Sequence, residues 1–429
     1  MICENTNTSP VKSTNSAVAS AGGSNRSALA RPSLEAVASF ENLHAAFVKA
    51  ARGKRNRPDV ARFGMRWETT LADLSQRLLS GEYVPGDYRV FTVHEKKTRT
   101  IMAAPFIDRI VHHAVCNIVT PHLEGSMSPN SCANRIGMGT RRGLELFGRF
   151  AHRYPYALKC DIRQFFPSID REILLSLLRS KIHDERLLSL VNSVLFVAPA
   201  TDAPFDYFPG DTLLAPCQRL RGLPIGNMTS QTWANWYLNG LDHYVMDYRG
   251  FKGYVRYVDD FAVFGNDKQA LHRLKNDLVE YLHRLRLRMH PDKSRVYKTR
   301  DGVPFLGFRH YPTHRIPGKQ NIRRFKRRVR DMYGNGVGVD RLRASIAGWS
   351  GFARLGDTAR LRECLCARFE RLTSGQGETV LRCAPVPSGV EVWGLVEQQS
   401  TEPAVREPQQ ERAGEPQQQH RVPVCVFPA

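Results

Sequence analysis

Thirteen residues, Gly253 to Gly265, constrain the chain more than any other stretch: GYVRYVDDFAVFG. Two short runs of β-formers, Tyr254–Val258 and Phe261–Phe264, flank a pair of aspartates, and glycines bound the whole. The pattern predicts a β-hairpin with Asp259 and Asp260 at or beside its turn. Two adjacent anions repel, and the neighbouring Tyr and Phe rings would desolvate them unless a cation or water relieved the charge. Two readings stand at this point. One is an exposed Asp-Asp turn in an ordinary hairpin; the other is a divalent-metal site, which needs a third carboxylate from elsewhere.

That carboxylate lies in YALKCDIRQFFPSID, Tyr156 to Asp170. Tyr156–Ile162 has the apolar character of a buried strand, with Asp161 near its C-terminal end. Arg163 to Pro167 then turn the chain into a helix predicted over Arg171–Lys181. A lone strand-end Asp is most often a helix cap or an ion-pair partner, and Asp170, just before Arg171 and Glu172, fits the cap role. Asp161 is better placed for metal. Together with Asp259 and Asp260 it would form a ligand set suited to two Mg²⁺ ions roughly 3.5–4 Å apart, able to activate a hydroxyl and stabilise a leaving pyrophosphate.

Charge narrows the partner. Lys and Arg number 62 against 41 Asp and Glu, a formal +21 over 429 residues, the footprint of a polyanion binder. From Thr373 onward four basic residues face seven acidic ones, so Met1–Leu372 carries +24. None of the nine Cys forms a C-x-x-C pair, and no apolar run reaches membrane length. A soluble protein in a reducing compartment, with no membrane partner, is expected.

In chain order, Met1–Ala30 is rich in Ser, Asn, Thr and Ala and should be disordered. Leu34, Val37, Phe40, Leu43 and Phe47 fall at helical spacing and predict one amphipathic helix ending before Gly53. Tyr88–Val93 and Thr100–Ala103 read as a hairpin whose tip carries Lys96, Lys97 and Arg99. Such a tip can clamp a triphosphate, although exposed hairpins also carry Lys to block edge pairing. Gly137–Gly143 is not a dinucleotide fingerprint, because its spacing is wrong and no strand leads into it. Gln320–Tyr333 suits a helix with one apolar stripe: Ile322, Phe325, Val329 and Met332. Its other faces hold six cations in eight residues: Arg323, Arg324, Lys326, Arg327, Arg328 and Arg330. They can track a duplex backbone or form a solvated basic face. From Thr373 the composition turns to Pro, Gln, Glu and Gly, a disordered tail with no carboxylate constellation for an RNase H domain.

Asp161 with Phe166, then Gly222-Leu-Pro-Ile-Gly-Asn-Met-Thr-Ser-Gln231, then Tyr257-Val-Asp-Asp260 resemble, in this order, the palm motifs of reverse transcriptases. The resemblance runs from about Ser39 to Leu372 and takes in the basic hairpin, Pro291-Asp-Lys293 and Phe305-Leu-Gly-Phe308. Most members have Gln-Gly followed by Ser-Pro in the second of these motifs; here Ile225-Gly226 is followed by Ser230-Gln231. That variant, with Ala347-Gly-Trp-Ser-Gly-Phe-Ala-Arg354, looks like the reverse transcriptases of diversity-generating retroelements. Those bacterial or phage-encoded, cytoplasmic enzymes copy a template-repeat RNA into cDNA, with misincorporation opposite template adenines that diversifies a variable gene. A reverse transcriptase of phage-defence or intron-like lineage is the alternative, and a catalytically dead RNA-binding protein the less favoured one.

The resemblance implies an α+β right-hand polymerase fold, with fingers, a palm built on an antiparallel sheet with helices on one face, and a helical thumb. Its expected divisions are a disordered segment 1–31, N-terminal helix and fingers 32–157, palm 158–315 with an interleaved fingers segment at about 171–222, thumb 316–372 and a disordered tail 373–429. It makes Asp161 and Asp259 the main ligands of two Mg²⁺ ions, with Asp260 assisting and the Ile162 carbonyl as a further ligand. Phe166 becomes the steric gate against a 2′-hydroxyl on the incoming dNTP. Lys97 and Arg99 hold the triphosphate, while Ile225, Gly226, Ser230 and Gln231 line the nascent pair. Lys293 is the candidate acid for pyrophosphate. Phe305, Leu306, Gly307 and Phe308 resemble a primer grip, and Arg323, Arg324, Arg327 and Arg328 face the RNA/cDNA duplex. A small basic accessory protein is the expected protein partner.

Overall fold

Alternation along the central strands decides the architecture. In the computed structural model, which describes residues 30–94, 98–199, 201 and 205–365, four strands form one antiparallel sheet in the order β4-β5-β3-β6. In chain order these are β3 (Tyr156–Asp161), β4 (Gly253–Tyr257), β5 (Asp260–Gly265) and β6 (Arg295–Lys298). The basic hairpin, β1 (Arg89–His94) with β2 (Thr98–Ala103), precedes them, and a three-stranded sheet of β7 (Val303–Phe305), β8 (Phe308–His310) and β9 (Arg315–Pro317) follows.

Because successive side chains point to opposite faces, Leu158, Cys160, Tyr254, Phe261 and Val263 enter one core. The helix Lys268–Arg284 covers that face with Leu271, Leu274, Leu278 and Leu282, and Asp267 caps its first turn. The other face sends Ala157, Val255, Ala262 and Phe264 into a second core with Phe147 and Phe305. Phe147 lies on the helix Thr140–Arg153, so the sheet carries helices on both faces at its Ala157 end, not on one as expected. Lys159, Asp161 and Asp260 belong to this second face by the same alternation.

The N-terminal helix is two helices, Leu34–Ala38 and Phe40–Ala51. Ser39 leaves helical geometry (ψ 141°), and its hydroxyl caps the second helix through Asn42 N–H. The expected boundaries at 157/158 and 315/316 fall inside β3 and β9. By compactness the chain divides into two units, Met1–Ile322 and Arg323–Ala429. In the second, Phe325 of the helix Lys319–Gly334 stacks on Trp349 of the helix Val339–Ala353 at 4.2 Å. The expected tail and the N-terminal segment up to residue 29 lie outside the described residues.

The excursion at 171–222 starts and ends on one residue. Asp170 and Arg221 form a β-bridge, and Arg171 is buried behind it. Its guanidinium donates to the carbonyls of Gly222 (2.9 Å), Ala198 (2.7 Å), Pro199 (2.8 Å) and Arg221 (3.3 Å). Burial lowers its pKa, yet no aliphatic side chain could satisfy those carbonyls. Arg171→Met should therefore lower stability by about 2–4 kcal/mol, read as a drop in urea midpoint at unchanged m-value. An unchanged midpoint would mean that water replaces the guanidinium at no loss.

Candidate active site

The antiparallel register sets Asp161, the last residue of β3, opposite Asp260, the first of β5. Tyr257 pairs with Asp260 across the hairpin, so Val258 and Asp259 alone make the turn. Val258 has φ 58°, while Asp259 stays outside the left-handed region, the pattern of a type II′ turn. A β-branched residue at the first turn position is strained, by on the order of 1–3 kcal/mol. Ile162 N–H donates to the Asp259 carbonyl at 3.3 Å and ties the turn to β3.

Asp161 and Asp259 line one cavity of about 480 Å³ with Ile162, Gln164, His290 and Lys293. Asp260 does not line it. Lys159 Nζ lies 2.7 Å from Asp260 Oδ1, at ion-pair distance but off the angle of a hydrogen bond. Lys293 Nζ donates to Asp161 Oδ1 at 2.9 Å. Burial raises the Asp259 carboxyl, and the charge of Asp161 adds to the effect. Although 24% of the Asp260 side chain stays exposed, burial of the rest pushes its carboxyl up to about 6 against the pull of Lys159.

These are the oxygen donors a hard divalent cation takes, and the raised carboxyls of Asp259 and Asp260 mark negative charge that the protein under-compensates. Among the described residues no three acids converge as a preformed ligand cluster. Two lysines instead hold two of the three carboxylates. The donor chemistry fits Mg²⁺, with Asp161 and Asp259 already on one cavity and Asp260 engaged by Lys159.

Around this centre, Phe165 enters the core and Phe166 stays half-buried at its edge, the rings 5.6 Å apart. Leu223 N–H donates to the Phe166 carbonyl at 3.0 Å, which brings the segment leading to Ile225 alongside Phe166. Ile225 is half-buried; Gly226 is exposed at φ 115°, with open space where a Cβ would stand. On the helix Met228–Tyr237, Ser230 is buried and Gln231 half-buried. Arg99 sits in β2 opposite Val93, but its side chain, like Lys96 and Lys97 entirely, lies outside the described residues.

The expected primer grip changes character. Phe305 and Phe308 pair across a two-residue turn, Leu306 (φ 47°) and Gly307 (φ 82°), and both rings are buried, Phe305 stacking on Phe147 at 4.5 Å. A two-residue loop puts its flanking pair on the same face of the hairpin, and here that face is core. What this hairpin can offer a nucleic acid is its tip, Leu306 and Gly307. Arg323, Arg324, Arg327 and Arg328 are exposed on their helix in the second unit.

The family model described as "Reverse transcriptase (RNA-dependent DNA polymerase)" matches residues 88–310, more than half of the chain. The chain belongs to the reverse transcriptase family. Its fold is the right-hand polymerase fold of that family. Among solved structures the chain is similar to telomerase from Candida albicans in complex with a fragment of telomeric RNA (12% identity, 55% of this chain and 46% of that one, TM-score 0.42). It is also similar to a Cas6-RT-Cas1–Cas2 complex (22% identity, 58% and 41%, TM-score 0.35). The chain spans less than half the length of each. A search of curated proteins gave no match.

Sequence reasoning missed Lys159, which only its place inside an apolar strand could have flagged. It also missed His290, and Tyr88, whose hydroxyl oxygen accepts from Asn227 Nδ2 at 2.7 Å. The candidate centre carries a sign-definite pH signature. Asp259 has a folded pKa above its unfolded value of about 3.9, so its charge costs stability at neutral pH, and the cost vanishes as pH falls below both values. In metal-free buffer Asp259→Asn should raise the urea midpoint at pH 7, with the gain shrinking to nothing as pH falls below ~3.9. Equal midpoints at pH 7 would show that this carboxylate is not desolvated.

Proposed function

We propose that the chain is an RNA-directed DNA polymerase of the diversity-generating kind, copying a template-repeat RNA into adenine-mutagenised cDNA. The observation that carries the polymerase reading is the meeting of Asp161 and Asp259, from separate segments, on one cavity whose lining includes Phe165, the chain neighbour of Phe166. Asp161, Asp259, the Ile162 carbonyl and, once freed from Lys159, Asp260 would hold Mg²⁺. Bound there, Mg²⁺ supplies charge neutralisation for an attacking primer hydroxyl and for the departing pyrophosphate. Phe166 excludes the 2′-hydroxyl of a ribonucleotide by occupying its place. Lys293 is the proton donor nearest Asp161, suited to a pyrophosphate oxygen. Lys97 and Arg99 bind the triphosphate, and the exposed arginines of the Lys319–Gly334 helix bind the RNA/cDNA duplex. A small basic accessory protein is the proposed partner.

Asp161→Ala should reduce dNTP incorporation to background while RNA binding stays near wild type, since a metal ligand and not a phosphate contact is lost. Unchanged primer extension by purified Asp161→Ala protein would end this assignment.

Ile225 supports the narrower reading. Where the usual family Gln can hydrogen-bond around the incoming sugar, Ile offers neither donor nor acceptor. One neutral bond is worth roughly 0.5–1.5 kcal/mol, and if it favours the correct pair its absence costs up to about tenfold in selectivity. Ile225→Gln should thus lower misincorporation opposite template adenine while polymerisation continues, as read by sequencing cDNA from a defined RNA. Equal adenine error rates would return Ile225 to packing. Flanking DNA without two near-identical repeats differing at adenines would favour a defence or intron-like lineage.

A further inference from the structure

Beneath the Val258–Asp259 turn lies an arginine with no exposed surface, Arg256. All five of its N–H donors have acceptors. Nε and Nη2 grip Asp242 bidentately at 2.6 and 2.7 Å. Nη2 also donates to the Asn235 carbonyl at 3.2 Å. Nη1 donates to Asn235 Oδ1 at 3.2 Å and to the Val258 carbonyl at 3.1 Å. Asp242, itself fully buried, accepts from the Tyr254 hydroxyl at 2.6 Å, and Asn235 Nδ2 is anchored on the Ala133 carbonyl at 2.6 Å. A planar guanidinium used in every direction has no freedom to reorient.

The Val258 carbonyl belongs to the central peptide of the turn. Types II′ and I′ differ by a flip of that peptide, and the flip swings the following residue from negative to positive φ. Asp259 would then leave its present aim into the cavity it shares with Asp161. Glycine at the first turn position favours II′ by itself, but Val258 does not. The turn therefore depends on what grips its carbonyl.

We infer that Arg256 is a positioning residue for polymerisation: braced by Asp242 and Asn235, it holds the Val258–Asp259 peptide in the orientation that aims Asp259 at Asp161. The inference rests on the role assigned above to Asp259. A purely structural ion pair would stabilise the fold without coupling to the turn, and the two cases separate in a double-mutant cycle. Arg256→Lys keeps the charge for Asp242 but cannot span to Val258 as well. In the wild-type background it should lower kcat for dNTP incorporation roughly ten- to a hundredfold, with KM for dNTP little changed. In a Val258→Gly background, where the turn prefers II′ unaided, the same substitution should cost less than about threefold in kcat. Equal losses in both backgrounds, beside an inactive Asp259→Asn protein, overturn the inference while sparing the site. Incorporation that survives Asp259→Asn overturns both. If Arg256→Lys does not fold, Asn235→Ala, which leaves the Asp242 pair intact, is carried through the same cycle under the same criteria.

Discussion

Two carboxylates face each other across β3 and β5 because the antiparallel register leaves them no alternative. Like charges directly opposite one another destabilise a sheet, and the surroundings of this pair are arranged to offset that. Lys159, two residues before Asp161 and on the same face, reaches diagonally to Asp260. Lys293, from the loop before β6, reaches Asp161. Among the described residues Asp259 alone of the three acids has no lysine at ion-pair distance. It is placed by backbone hydrogen bonds and a strained turn, with its charge left for something else to neutralise. Its desolvated charge costs the folded state stability.

The parts legible in the sequence are those whose signal is local. The Asp259–Asp260 hairpin, the strand ending at Asp161 and the cap at Asp170 each follow from residue type and spacing within a few positions, and the structure has all three elements. Ser39 was equally local, yet the apolar spacing of Leu34 to Phe47 passes through it unbroken, so the periodic signal hid the cap. Phe305 and Phe308 show a different limit. Alternation says that the two share a face but not whether that face is core, and only Phe147, far off in sequence, decides it. Arg171 and Arg256 were unreadable for a stronger reason. An arginine in a sequence looks solvated, and the acceptors that make burial tolerable lie on segments that only the fold brings together.

The segment carrying Ile225 shows how such a site can vary without unfolding. Gly222 N–H donates to the Ile169 carbonyl, Leu223 N–H to that of Phe166, and Arg171 to the carbonyls of Arg221 and Gly222. Two residues beyond Ile225, Asn227 donates to Tyr88. Nearly every bond that seats this segment beside Phe166 is made by backbone atoms or by flanking residues, and none of them uses the side chain at position 225. A half-buried side chain held on so independent a frame can change its chemistry with little effect on the fold. The same frame binds Phe166 to the segment, so its ring and the side chain at position 225 are carried on one piece of backbone. A single side chain set into a backbone-built scaffold can thus change while the fold around it stays.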